Sequence, residues 1–399
     1  MGRLKSLILF LLSLCLINTL ASAQVKVRLL SNRFSGSAVF TVTTGKYRLN
    51  SSGNKTYFLS EGESAIISKF NGKLAVKTRD AKGFLSDSAF FTGETGEDYF
   101  SLRLNGKIQE KRCYSGDLQC FSDMETIVMI NICDIEKYIA GVVMAEGGNG
   151  KNKEYFKTQA VIARTYMYKN FNEHLSDRYN VCDNTHCQVF NGVSTNDIIT
   201  RAALETKGLV LLDSDSTLIV STFHSNCGGE TASSEDVWLV SQPYLKKVVD
   251  PYCLNSQNAV WEKHISVKEW VKTMNNSGYY VEADNPSVFD FFQGTRVTDY
   301  KTGSITIPLM TIRNELNLRS TFFSIVHQGD TIILKGRGYG HGVGLCQEGA
   351  MAMAAKGFTF QQIIEFYYSG VMISDIKNAI ILPDILSPTP PEEGLVKGY

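Results

Sequence analysis

The chain predicts an α+β fold, with mixed helices and antiparallel sheets around a groove, preceded by a small β-rich N-terminal domain. Three observations carry that expectation. Apolar residues alternate with polar ones between residue 24 and about 110, and Asn-Gly pairs separate the runs. From Phe156 the spacing changes to three- and four-residue steps through Ala160, Ala163 and Met167, which is a helical face. Short apolar strands and helices then intermingle to about residue 380.

At 399 residues with 43% apolar content, the chain has room for two or three cored domains. Lysine plus arginine and aspartate plus glutamate balance at 40 each. Zero formal charge argues against nucleic acid as a partner and against a scaffold for anionic membranes. Neutral or locally charged polymers stay open as substrates.

Residues 1–23 read as a secretory leader. Arg3 and Lys5 precede the apolar run Leu7 to Leu12, which continues to Ile17, and Ala21-Ser22-Ala23 offers a cleavage site before Gln24. Leu14 before Cys15 is too large for a lipid-attachment site. An exported, envelope-associated or periplasmic protein is expected. Eight cysteines come after the leader: Cys113, Cys120, Cys133, Cys182, Cys187, Cys227, Cys253 and Cys346. Export permits disulfides, and metal binding competes for some of these thiols.

Within 24–110, Val25, Val27 and Leu29 alternate, as do Ala38, Phe40 and Val42. Asn71-Gly72 between Ile66–Phe70 and Lys73–Lys77 predicts a hairpin, and Asn105-Gly106 predicts a second. Cys113 and Cys120 flank Gly116-Asp117 and can close a small loop. Ile127 to Ile132 reads as a buried strand.

The stretch from Lys137 to Asn170 organises the rest of the chain. An apolar run from Ile139 to Ala145 ends on one carboxylate, Glu146, with Gly147, Gly148 and Gly150 after it and then the helix that carries Arg164. A carboxylate set against apolar surface resists ionisation and can serve as a general acid. An ion pair with Arg164, or a helix cap, explains the same residues without catalysis.

Next, His174, Cys182, His186 and Cys187 place four soft or borderline ligands in one short segment, a set that suits zinc. A Cys182–Cys187 disulfide fits the thiols equally, and the two histidines favour the metal. Ile198–Lys207 reads as a helix, and Leu209–Phe223 as a hairpin turning at Asp213-Ser214-Asp215. The long polar loop opening on His224 and Cys227 and closing on Tyr244 and Lys246 is where sites tend to sit. Cys253 can pair with Cys227.

Residues 254–310 mix Trp-bearing helices with short strands, an insertion or subdomain in which Trp261 and Trp270 pack, and Ser266 caps a helix from Val267. After the strand Thr331–Leu334, glycines surround His341. No register there gives Gly-x-Gly-x-x-Gly, so a dinucleotide loop is excluded. His341 is either exposed in a groove or buried against a carbonyl. Gln361–Tyr368 forms a last helix, and 381–399 is a proline-rich tail.

Taken in order, YIAGVVMAE with KTQAVIARTY, THCQVFNGV, GGETASSEDVW with PYLKKV, and RGYGHGVGLCQEGAMAMAAKGF with IIEFYYSG resemble the sporulation stage II protein D / LytB family over roughly residues 111–378. The resemblance implies action on bacterial cell-wall glycan. It implies that Glu146 is the acid/base of a lytic transglycosylase and that Arg164 and Lys246 support activity. Tyr244 and His341 complete the expected glycan-contacting set. It also implies zinc on Cys182, His186 and Cys187, with His174 as fourth ligand. Part of the family acts instead by enhancing wall amidases, so peptidoglycan strands and an amidase are the partners implied. Gly147-Gly148 stand where many members have Met-Pro.

Overall fold

The computed structural model describes residues 23–380, apart from 34, 54, 81, 105–110, 124–125, 149 and 282–288. The leader up to residue 22, the Asn105-Gly106 hairpin and the tail 381–399 therefore lie outside the described residues. The architecture is α+β, with eight α-helices and mostly antiparallel sheets among the described residues. None of those helices is long and apolar enough to cross a membrane.

Two compact units divide the chain, and the division is not linear. The first holds the described residues up to Tyr138 together with Asn170–Val193, and the second holds Ile139–Lys169 with Ser194–Ile380. The expected boundary at residue 110 needs correction, because it would cut through sheets. Lys111–Ser115 pairs with Tyr99–Leu104, and Asp117–Asp123 pairs with Ser88–Gly93.

In the first unit a seven-stranded and a six-stranded sheet pack face to face. Phe40 on one sheet stacks on Phe91 of the other at 4.2 Å, and Tyr47 and Phe100 meet the same ring at 5.2 and 5.0 Å. All four are fully buried, so the alternation in the sequence is the inner face of a sandwich. The predicted hairpin forms as Ser64–Phe70 paired with Lys73–Thr78, closed by Phe70 opposite Lys73. Asn71 and Gly72 both take positive φ, 49° and 77°, the conformation that matches the twist of a two-residue turn. Cys113 and Cys120 lie in different sheets and are free, so the small loop between them is not closed by a disulfide.

Helix α1, Ile135–Glu146, carries the chain into the second unit, and α2, Lys153–Lys169, buries the predicted face of Phe156, Ala160, Ala163 and Met167. Helix α3, Asp197–Glu205, starts where the Asn196 side chain accepts from the amides of Ile198 and Ile199. The expected 209–223 hairpin forms only beside its turn, where Leu212 bridges Leu218 and Ile219 N bonds Leu211 O. Strand Leu209–Leu212 pairs on its other edge with Met372–Asp375 from the far end of the chain. A short helix α4, Ser234–Trp238, comes next.

Helix α5, Val267–Asn276, is capped by Ser266 as expected, its side chain accepting from Glu269 N. Trp270 is fully buried and centres a core with Tyr300, Ile312 and Leu334, joined by helix α6, Leu309–Glu315. Helices α7, Gln347–Ala355, and α8, Phe360–Tyr367, complete the unit.

Candidate functional site

Glu146 is the last residue of α1 and is half-buried. The glycines after it end the helix. Gly147 N still bonds Val143 O, and Gly148 adopts φ +62°, a left-handed turn that a side chain resists. Two side chains then fix the main chain. Gln347 Nε2, on the first turn of α7, donates to Glu146 O at 2.7 Å, and Tyr155 Oη on α2 donates to Gly147 O at 2.8 Å. These bonds hold a backbone that the glycines alone would leave free. Sequence reasoning missed Gln347 and its bond to the Glu146 main chain. Its signal was its place immediately after the glycine-dense segment.

Arg164 departs from expectation. Its side chain is fully buried, and the guanidinium donates to Leu209 O at 3.0 Å and Ala203 O at 3.1 Å, with a longer bond to Ala160 O. It ties α2 to α3 and to the strand after α3. Tyr244 is likewise buried, with its Oη accepting from Val220 N at 3.0 Å.

Lys246 is exposed but not free. Its Nζ lies 2.8 Å from Glu235 Oε1 on α4 and donates to Ser241 Oγ at 3.2 Å. The ammonium holds the Glu235 carboxyl down to about 2. Glu235 is thus an anion at any working pH and is poorly suited to donate a proton.

His341 sits between a carbonyl and an aromatic ring. Nε2 donates to Phe223 O at 2.9 Å, Nδ1 accepts from Val343 N at 3.0 Å, and Trp238, itself 42% exposed, packs on the ring at 5.2 Å. His341 is thus half-buried and bonded to a carbonyl, which lies between the two alternatives for this histidine. His224 lies 5.5 Å away ring to ring, and its buried Nε2 has no partner among the described residues. Burial pushes His341 down to about 4, and it pushes His224 well below its ordinary value. Unfolding frees both rings to protonate near 6.5, so the unfolded chain takes up protons first as pH falls. Stability from His341 is therefore complete above about pH 6.5 and is lost between there and about 4. The melting temperature of the wild type should exceed that of His341→Gln by several degrees more at pH 7 than at pH 4.5. An unchanged difference would contradict this.

In the first unit, the ligands expected for zinc converge. Cys182 Sγ and Cys187 Sγ are 3.3 Å apart, His174 Nε2 is 3.4 Å from Cys187 Sγ, and His186 Nδ1 lies 3.9 and 3.6 Å from the two sulfurs. All four ligand atoms fall within 4.8 Å of one another. The adjacent His186 and Cys187 face one point because the chain turns there, with His186 N and Cys187 N bonded back to Asn184. Asp183 anchors that turn by accepting from the amides of Leu30 and Ser31. The close contact with Cys187 lowers the Cys182 thiol, which favours the thiolate a metal needs. A convergent Cys₂His₂ set of this kind fits zinc, which such sets bind tetrahedrally.

The two units and these sites define an α+β protein with a carboxylate held at a helix end and a Cys/His cluster. The profile of the stage II sporulation protein family matches residues 123–212. Stage II sporulation protein D of Bacillus subtilis is 30% identical over 261 residues, which cover 60% of this chain and 74% of that protein. An uncharacterised protein of Brachyspira hyodysenteriae is 30% identical over 348 residues, covering 85% of this chain and 93% of that one. The amidase enhancer of Bacillus subtilis is 28% identical over 289 residues, covering 59% of this chain and 40% of that protein. The chain belongs to the sporulation stage II protein D family.

Proposed function

We propose that this protein is an envelope lytic transglycosylase that cleaves peptidoglycan between N-acetylmuramic acid and N-acetylglucosamine, with Glu146 as its single acid/base. The observation that supports this most is the clamped main chain of Glu146, since an acid must be placed within hydrogen-bond reach of the oxygen it protonates. Glu146 gives its proton to the glycosidic oxygen as that bond breaks. The same carboxylate then takes the proton of the muramic acid C6 hydroxyl, whose oxygen attacks the anomeric carbon. A 1,6-anhydro sugar is left and Glu146 ends protonated, so the atoms balance without water. No second carboxylate is required, whereas an ordinary glycosidase generally needs a pair.

Lys246 and the exposed face of Trp238 are the groups suited to contact the polymer, by charge and by ring stacking. His174, Cys182, His186 and Cys187 hold a zinc in this reading, and the metal braces the first unit rather than taking part in the reaction. Export is inferred from the leader-like residues 1–23.

The resemblance to an amidase enhancer favours a second reading, in which the protein grips murein and stimulates a partner amidase without cutting glycan. Incubation of the purified chain with bare and peptide-bearing glycan strands separates the readings by product mass. Transglycosylation gives an end one water lighter than the reducing sugar of hydrolysis. An enhancer gives no glycan product at all.

If Glu146 is placed by its main chain, Gln347→Ala should slow product formation about fivefold, the equivalent of one hydrogen bond of about 1 kcal/mol. KM should stay near the wild-type value. A raised KM at unchanged kcat would make Gln347 a binding residue instead.

A further inference from the structure

We propose that Cys227, Asp250, Cys253 and Cys346 form a second metal site, suited to zinc, inside the second unit. All four residues are fully buried, and one ligand atom from each falls within 4.8 Å of the others. Cys227 Sγ is 3.3 Å from Cys253 Sγ and 3.2 Å from Asp250 Oδ2. Thiolates bound to one zinc at about 2.3 Å stand roughly 3.8 Å apart, whereas a disulfide brings sulfurs to about 2.0 Å. The observed spacing is nearer the first.

The composition of the cluster argues the same way. A Cys227–Cys253 disulfide, as the sequence suggested, would use two thiols and leave a third thiol and a carboxylate crowded against it in a dry interior. An unpaired buried carboxylate is costly, and a divalent cation compensates it. The surroundings resemble those of bound thiolate. Main-chain N–H groups of Cys227 and Gly349 point at Cys346 Sγ at 3.3 and 3.4 Å, and those of Gly228 and Gly229 point at Cys253 Sγ. Asp250 Oδ1 accepts from Tyr252 N at 2.8 Å, and Tyr367 Oη donates to Oδ2 at 2.9 Å, as outer partners orient a carboxylate ligand. The buried Arg296 guanidinium donates to Cys227 O at 2.8 Å and offsets part of the excess negative charge. On binding, the three thiols release their protons to solvent and the aspartate binds as the anion.

The ligands come from three distant segments: the loop after strand Phe223–His224, the loop at 250–253, and Cys346, which caps α7. That helix carries Gln347, so the metal pins the element that holds the Glu146 main chain. The assignment stands on the cluster alone and survives if the protein proves not to cut glycan.

Zinc content of the purified full chain tests it. With one ion per four-ligand site, the wild type should hold about two equivalents and a Cys182→Ser/Cys187→Ser variant about one. Adding Cys346→Ser to that variant should bring zinc close to zero. A wild-type content of one that vanishes in Cys182→Ser/Cys187→Ser overturns the proposal, as does zinc that Cys346→Ser leaves unchanged. Should the Cys346→Ser chain fail to fold, the wild type decides. After unfolding in chelator without reductant, alkylation should label Cys227, Cys253 and Cys346 together, and a Cys227–Cys253 linked peptide would refute the site.

Discussion

Glu146→Gln should reduce formation of anhydro-muramic ends by about 10³-fold or more, within the range that general acid–base groups supply, while the protein stays folded and bound to murein. Glutamine keeps the shape of the side chain and both of the bonds that clamp the adjoining main chain, because these run to carbonyl oxygens of residues 146 and 147. The transferable proton is lost. The melting temperature should therefore remain within a degree or two, the behaviour of a substitution that creates no cavity and strands no buried charge. Rate and binding are read separately, by product quantitation and by cosedimentation with sacculi. Turnover retained in this variant would remove Glu146 from the mechanism, and loss of folding would make its role structural.

Arg164→Ala should do the opposite: abolish stability rather than chemistry. The fully buried guanidinium donates to carbonyls of α2, of α3 and of Leu209, so its removal deletes these bonds and opens a cavity among packed helices. Such losses amount to about 3–5 kcal/mol, a large part of a typical domain's 5–15 kcal/mol. A fall in melting temperature of roughly 10 °C or more is expected, with most of the expressed chain insoluble. Arg164→Lys should recover little of it, since a single ammonium cannot span carbonyls in three directions. A folded, wild-type-stable Arg164→Ala protein with a raised KM would restore Arg164 to the substrate.

These contrasts show what sequence reading can reach. The Asn71-Gly72 hairpin, the Ser266 cap and the buried face of α2 were legible because each is set by residues within a few positions of one another. The partner of Leu209–Leu212 was not, because it arrives about 160 residues later and leaves no local mark. The unit boundary was missed for the same reason: strands from 111 to 134 complete sheets begun before residue 50. His174, Cys182, His186 and Cys187 stand within one short segment, so their convergence was readable. Asp250 and Cys346 carry no local mark of their place in the proposed second site, since only the fold brings three segments to one point. Whether an arginine on a helix meets solvent or carbonyls depends on its neighbours in space, and Arg164 met carbonyls.

The central claim is that the carboxylate of Glu146 serves a nucleophile belonging to the substrate itself. Digesting peptidoglycan with the purified chain in heavy-oxygen water tests this most directly, with the new glycan ends read by mass spectrometry. The account predicts anhydro ends that carry no heavy oxygen. Reducing ends labelled with solvent oxygen, or sacculi left uncut, would contradict it.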